Sequence, residues 1–137
     1  MSYIIDTDIL SATRYLKRNK HLEVWLRSLN HQDVFISVIT VGEIRKGIEK
    51  QKTINPNFAN DLYVWLEKIL VLYSDRILPV TIPIAMRWGV LSQHIGNSNA
   101  DIIIASTALE HNLTVVTANS KHFVPTKVST INPLLPQ

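Results

Sequence analysis

Short apolar runs bounded by polar or turn-forming residues recur along the chain at Tyr3–Asp6, Val34–Ser37, Ile77–Val80 and Leu113–Thr117, with a fifth at Val128–Ile131. Runs of this length, rich in Ile, Val and Leu, read as buried strands. Between them the period changes. Leu62, Trp65, Leu66, Ile69 and Tyr73 recur at helical spacing, as do Ile84, Trp88, Leu91 and Ile95, giving each segment a single apolar stripe. The pattern assigns Trp65 and Trp88 to the core rather than to nucleic-acid stacking. Pro56 and Pro83 suit helix first turns, where a missing backbone N–H costs nothing. Strands alternating with helices predict an α/β fold: a mainly parallel central sheet with helices on both faces.

In such a sheet the right-handed crossovers line up the strand-to-helix loops along one edge, and functional groups gather there. The stretch "IIDTDIL" puts Asp6 at the end of the first strand and Asp8 two residues later. An Asp-x-Asp in this place is a phosphatase's nucleophile and acid, a metal ligand with a helper, or a helix cap. Glu43 falls in the first turns of the helix begun by "SVITVGEIRKGI", off the stripe of Val41, Ile44 and Ile48. Asp101 opens the helix "ADIIIASTALEH", in which Ala105 and Ala108 let the backbone approach the sheet. Thr117 and Asn119 follow the strand "LTVVT". Any one acid alone is an ordinary cap or solvated helix residue, Asp8 and Asn99 being natural caps. Three acids arriving at one sheet edge point to function.

Composition narrows the chemistry. With 46% hydrophobic and 18% charged residues the 137-residue chain is expected to form a single domain spanning residues 1–137. It has no cysteine, so any metal must be held by oxygen or nitrogen. No basic leader or long apolar run appears, and the expected location is the cytoplasm, away from membranes. The formal charge of +3 suits a polyanionic partner. Arg14, Lys17 and Arg18 are spaced to share one helix face, and Arg45, Lys46, Lys50 and Lys52 form a second cluster. Three converging carboxylates repel one another unless a cation joins them. Oxygen-only ligation favours Mg²⁺ or Mn²⁺, ions that act on phosphates.

Taken together, "IIDTDIL", "SVITVGEIRKGI", "ADIIIASTAL" and "LTVVTANSKHF", in this order and spacing, resemble the PIN-domain ribonucleases. More narrowly they are similar to the VapC toxins of toxin–antitoxin pairs, including the FitB-like group. The resemblance covers nearly the whole chain. It implies a PIN fold, Mg²⁺-dependent endoribonuclease activity on RNAs such as tRNA or ribosomal RNA, a homodimer, and a VapB-like antitoxin through which alone DNA is contacted. It places the family's acids on Asp6, Glu43 and Asp101 as metal ligands, and the following hydroxyl on Thr7. Thr7, Arg14, Lys17 and Arg18 are then expected to meet substrate.

One departure stands out. Many members carry a fourth acid at the position of Asn119 or of His122, and no Asp or Glu occurs here after Glu110. Asn119 is expected to orient a catalytic water through its amide, and His122 to be an isolated surface residue. Two rivals remain. A haloacid-dehalogenase-like phosphatase would use Asp6 and Asp8 as nucleophile and acid, but it leaves Glu43 and Asp101 without a role. A non-catalytic PIN-fold binding module would have no need to bring three like charges together.

Overall fold

The computed structural model describes residues 1–137. Its sheet has five parallel strands, β1 (Tyr3–Ile5), β2 (Val34–Ser37), β3 (Ile77–Leu78), β4 (Thr114–Val116) and β5 (Thr130–Ile131), in the order β3-β2-β1-β4-β5. All five sequence-derived strands are present. The third is shorter than its apolar run because Pro79 has no N–H to offer the ladder. It pairs with β2 only at Ile36↔Ile77 and Ser37↔Leu78.

The helices are α1 (Thr7–Ala12), α2 (Lys20–Arg27), α3 (Val38–Ile54), α4 (Pro56–Leu72), α5 (Ile82–Ile95), α6 (Ala100–His111) and α7 (Ser120–Phe123). Alternation along the strands divides them between two faces. Ile5, Ile36 and Val116 point into a core with Ile9 and Leu10 of α1, Leu22 and Trp25 of α2, Ile44 and Ile48 of α3, and Leu66 and Ile69 of α4. The intervening Ile4 and Val115 point the other way, onto Ile104, Ala105 and Ala108 of α6 and Phe123 of α7. Both faces are therefore covered. The two alanines are fully buried, as close backbone packing requires. Pro56 and Pro83 occupy first turns, capped by the side chains of Asn55 and Thr81.

Two sequence-derived placements need correction. Trp65 is half-buried yet packs against the first core as expected, whereas Trp88 is half-buried and joins neither core. Trp88 donates its indole N–H to the Ser98 carbonyl at 3.3 Å. Nor do Arg14, Lys17 and Arg18 share an α-helix face. The α-helix ends at Ala12, and Thr13–Arg18 is a 3-10 segment broken at Tyr15 (φ −133°, ψ 52°). The Thr13 hydroxyl takes the Leu10 carbonyl and the Asn19 amide takes that of Tyr15. Side-chain bonds of this kind compete with the regular ladder.

A single buried cation ties the β2–β3 flank together. Arg76, 6% exposed, donates to the carbonyls of His31, Val34 and Leu72, while Asp75 lies 3.3 Å from its Nε.

Candidate active site

The carboxyl ends of β1, β2 and β4 bring the expected residues to one edge. Asp6 follows β1 and performs three local tasks. Its N–H donates to Val116 O at 2.9 Å, continuing the ladder to β4. Its carbonyl accepts from Leu10 N at 3.0 Å, the first bond of α1. Its Oδ1 caps the helix by accepting from Thr7 N at 2.8 Å. The remaining oxygen, Oδ2, accepts from the buried hydroxyl of Thr117 at 2.9 Å. The carboxylate is thus fixed at both oxygens, 6% exposed.

Asp8 was expected to be a cap or an outer-shell helper, and the structure corrects the first of these. Asp6 is the cap. Asp8 is the second residue of α1. Its Oδ1 accepts from Ile9 N at 2.7 Å, and its Oδ2 reaches across to the loop after β4, accepting from Ala118 N and Asn119 Nδ2, each at 3.0 Å. Asn119 therefore spends an amide hydrogen on Asp8, a partner 111 residues away. Glu43 is exposed on α3, one turn past the buried Thr40, and accepts from the Thr7 hydroxyl at 2.6 Å. Thr7 also lies 3.2 Å from Thr40 Oγ1. Thr7 is thus the bridge from β1 to Glu43.

Asp101 sits in the first turn of α6, 28% exposed. His122 of α7, expected to be isolated, places Nδ1 3.6 Å from its Oδ2. The reason is tertiary: α7 packs on α6, a contact that no local pattern announces.

Electrostatics join these groups into one field. Burial pushes Asp6 up from 3.8 to about 7, the charge of Asp8 adds to the rise, the bonds from Thr117 and Thr7 oppose it, and Asp101 raises it further. Burial likewise lifts Asp101, His122 offsets part of the lift, and Asp8 adds to it. Asp8 raises both neighbours, so the three aspartates form one electrostatic group. No three Asp, Glu or His side chains stand close enough to ligate an ion together.

The basic residues fall into two types. Arg45 and Lys52 of the second cluster are paired with Glu49, at 2.9 and 2.8 Å. Arg14, Lys17 and Arg18 have no acidic partner. A separate apolar groove of about 490 Å³ runs between the N-terminal helices and α4, lined by Leu10, Leu16, Leu26, Leu29, Ile69 and Leu72 among others.

Against known proteins, residues 3–125 match the PIN domain family model. The chain is 34% identical over 136 residues to toxin FitB of Neisseria gonorrhoeae, covering 95% of this chain and 96% of the toxin. It is 26% identical over 143 residues to a VapC ribonuclease of Sinorhizobium fredii, covering 97% and 98% of the two chains. The crystal structure of FitAcB from Neisseria gonorrhoeae superposes with a TM-score of 0.81 at 34% identity, over 96% of this chain and 97% of that one. A structure of FitAB bound to a DNA fragment gives 0.83 at 32% identity, over 98% and 97%.

Proposed function

The chain belongs to the PIN-domain family, and from that premise we propose that it is a metal-dependent endoribonuclease, the toxin of a toxin–antitoxin pair. One observation carries the chemistry: Asp6 is buried, fixed at both oxygens, and raised by Asp8 and Asp101 at the sheet edge. Such a site gains from a cation. Its donors are all oxygen, and Mg²⁺ is commonly held by only one or two carboxylates with waters completing its shell, so the residues fit Mg²⁺ or Mn²⁺ without a closed three-acid group. Asp6 and Asp101 would hold the ion, with Glu43 reaching it directly or through water. When bound, the ion makes water a nucleophile near neutral pH and offsets charge on the phosphoryl oxygens. The chain's own residues do the positioning. Thr117 and the Thr7 N–H lock Asp6, the Thr7 hydroxyl aims Glu43, and Asn119 holds Asp8 beside both aspartates.

The phosphatase alternative needs Asp8 as a free acid, yet its oxygens already accept from three N–H donors. A scaffold reading leaves the shared acidic field unexplained. For the partner, the apolar groove beside α4 suits an amphipathic antitoxin segment. The FitAB structure holds a DNA fragment, in keeping with DNA contact by such a complex, and we assign that contact to the antitoxin. The exposed stripe of Ile82, Met86 and Val90 on α5 is in keeping with a homodimer. The purified chain with Mg²⁺ should cut tRNA or ribosomal RNA, leaving 5′-phosphate and 3′-hydroxyl ends, because water rather than the ribose 2′-hydroxyl attacks. Cyclic 2′,3′-phosphate ends, or no cleavage without the antitoxin present, would sink this reading.

A further inference from the structure

The break in the helix at Tyr15 has a structural product. The guanidinium carbons of Arg14 and Arg18 lie 4.9 and 5.0 Å from the Tyr15 ring centroid, so both cations sit over one ring. Arg14 is held further by α4, at 5.2 Å from the Phe58 ring and 5.5 Å from that of Trp65. Tyr15 remains 41% exposed, and Lys17 and Arg18 are exposed beside it. This group walls a concavity of about 490 Å³ that adjoins the apolar groove through Thr13, Leu16 and Glu23, the carboxylate of Glu23 being paired with Arg27. Three neighbouring cations in no ion pair add their fields, whereas those of Arg45 and Lys52 are offset by Glu49. Cations alone would suit any polyanion. An aromatic ring flanked by guanidinium groups suits one more narrowly, because unpaired bases stack on such groups whereas duplex RNA presents only its phosphates and grooves.

We propose that the Arg14–Tyr15–Arg18 cluster, with Lys17, is a landing site for an unpaired nucleotide of the RNA strand. Its base stacks on the exposed planes, and its phosphates meet the cations. The inference rests on the ribonuclease reading and gives the strand a contact of its own on the segment after α1. Arg14 is the preorganised post, since Phe58 and Trp65 fix its guanidinium before any ligand arrives. Lys17 and Arg18, on the exposed side, follow the phosphates.

The test uses full-length protein carrying Asp6→Asn, so that RNA is bound and not cut, and reads fluorescence anisotropy of a labelled ten-nucleotide single strand and of the same sequence as a duplex. Adding Tyr15→Ala should weaken single-strand binding by about tenfold and leave the duplex unchanged, while Tyr15→Phe, which keeps the plane, should bind as the parent does. Adding Arg18→Gln should lower the salt dependence of binding by about one unit of slope or less. In the cleavage-competent chain, Tyr15→Ala should raise KM and spare kcat. Equal losses on single strand and duplex would reduce the site to a plain phosphate patch and overturn the proposal. So would competition by a poly-glutamate peptide of matched charge that displaces the strand equally from the parent and from Tyr15→Ala. Failure of the nuclease reading would appear separately, as absence of cleavage by the unmutated chain with Mg²⁺.

Discussion

Asp6 and Arg76 are buried to the same degree, each 6% exposed, and their surroundings are opposite. Arg76 is met by three carbonyl oxygens and flanked by Asp75 and the Tyr73 ring, so every neighbour favours its charge. Asp6 receives two hydrogen bonds, but burial first, then Asp8 and more weakly Asp101, disfavour its charge. A buried charge with matched partners is architecture, here holding β2, α4 and the turn before β2 together. A buried charge set among like charges is held there by the rest of the fold, and such unrelieved sites are where a ligand has most to gain by binding.

The contrast can be broken most forcefully at Asp6. Asp6→Asn should lower RNA cleavage by roughly a thousandfold, yet raise the thermal midpoint of the metal-free protein at neutral pH, since the amide oxygen still accepts from the Thr7 N–H, the amide N–H can donate to the Thr117 hydroxyl, and the repulsion is gone. Calorimetry alongside a cleavage assay checks both halves, and a destabilised variant would refute the electrostatic account. Arg76→Met should do the reverse. Leaving buried carbonyls without donors costs about 3 kcal/mol of stability, measured by urea unfolding, with little change in cleavage per folded molecule. A pH series sharpens the same comparison. Asp6 at about 7 when folded, against an ordinary 3.8, keeps a proton that the unfolded chain has released across that window. Metal-free stability should therefore fall as pH rises from about 4 to about 7 and then level off, a loss of about 2 kcal/mol once the proton is shared among the coupled acids. Asp6→Asn should flatten that slope, and a stability that instead climbs over the window would contradict it. The smallest effect belongs to Thr7→Val, which releases Glu43 from its only recorded hydrogen bond. Cleavage should drop about tenfold, as for other supporting contacts at metal sites, with the thermal midpoint almost unmoved. An unchanged rate would detach Glu43 from the mechanism.

What could be read from the sequence was whatever repeats locally. The five apolar runs became the five strands, and the switch from short runs to helical spacing gave the layers and so the edge on which Asp6, Glu43 and Asp101 lie. Features made by contacts distant in sequence were not legible. Asp8 meets Ala118 and Asn119 across more than a hundred residues, His122 meets Asp101 only because α7 packs on α6, and Arg14 finds Phe58 and Trp65 on a helix more than forty residues away. Arg76 went unnoticed because a lone arginine before an apolar pair carries no local sign that three carbonyls await it. The break at Tyr15 is similar: basic residues at helical spacing say nothing of the Thr13 and Asn19 side-chain bonds that end the helix.

The position of β1 in the middle of the sheet has a consequence for how the protein comes into being. Its flanking strands are β2 and β4, and the hydroxyl that fixes Asp6 belongs to Thr117. During synthesis the first strand therefore waits, with one neighbour missing, until most of the chain has left the ribosome. Pairings this distant in sequence form late and slowly. A nascent or truncated copy lacks Asp101, Thr117 and the loop that holds Asp8, and would be inert however well its N-terminal helices had formed. On the ribonuclease reading proposed above, the order of assembly is itself a safeguard for the machinery that makes the chain.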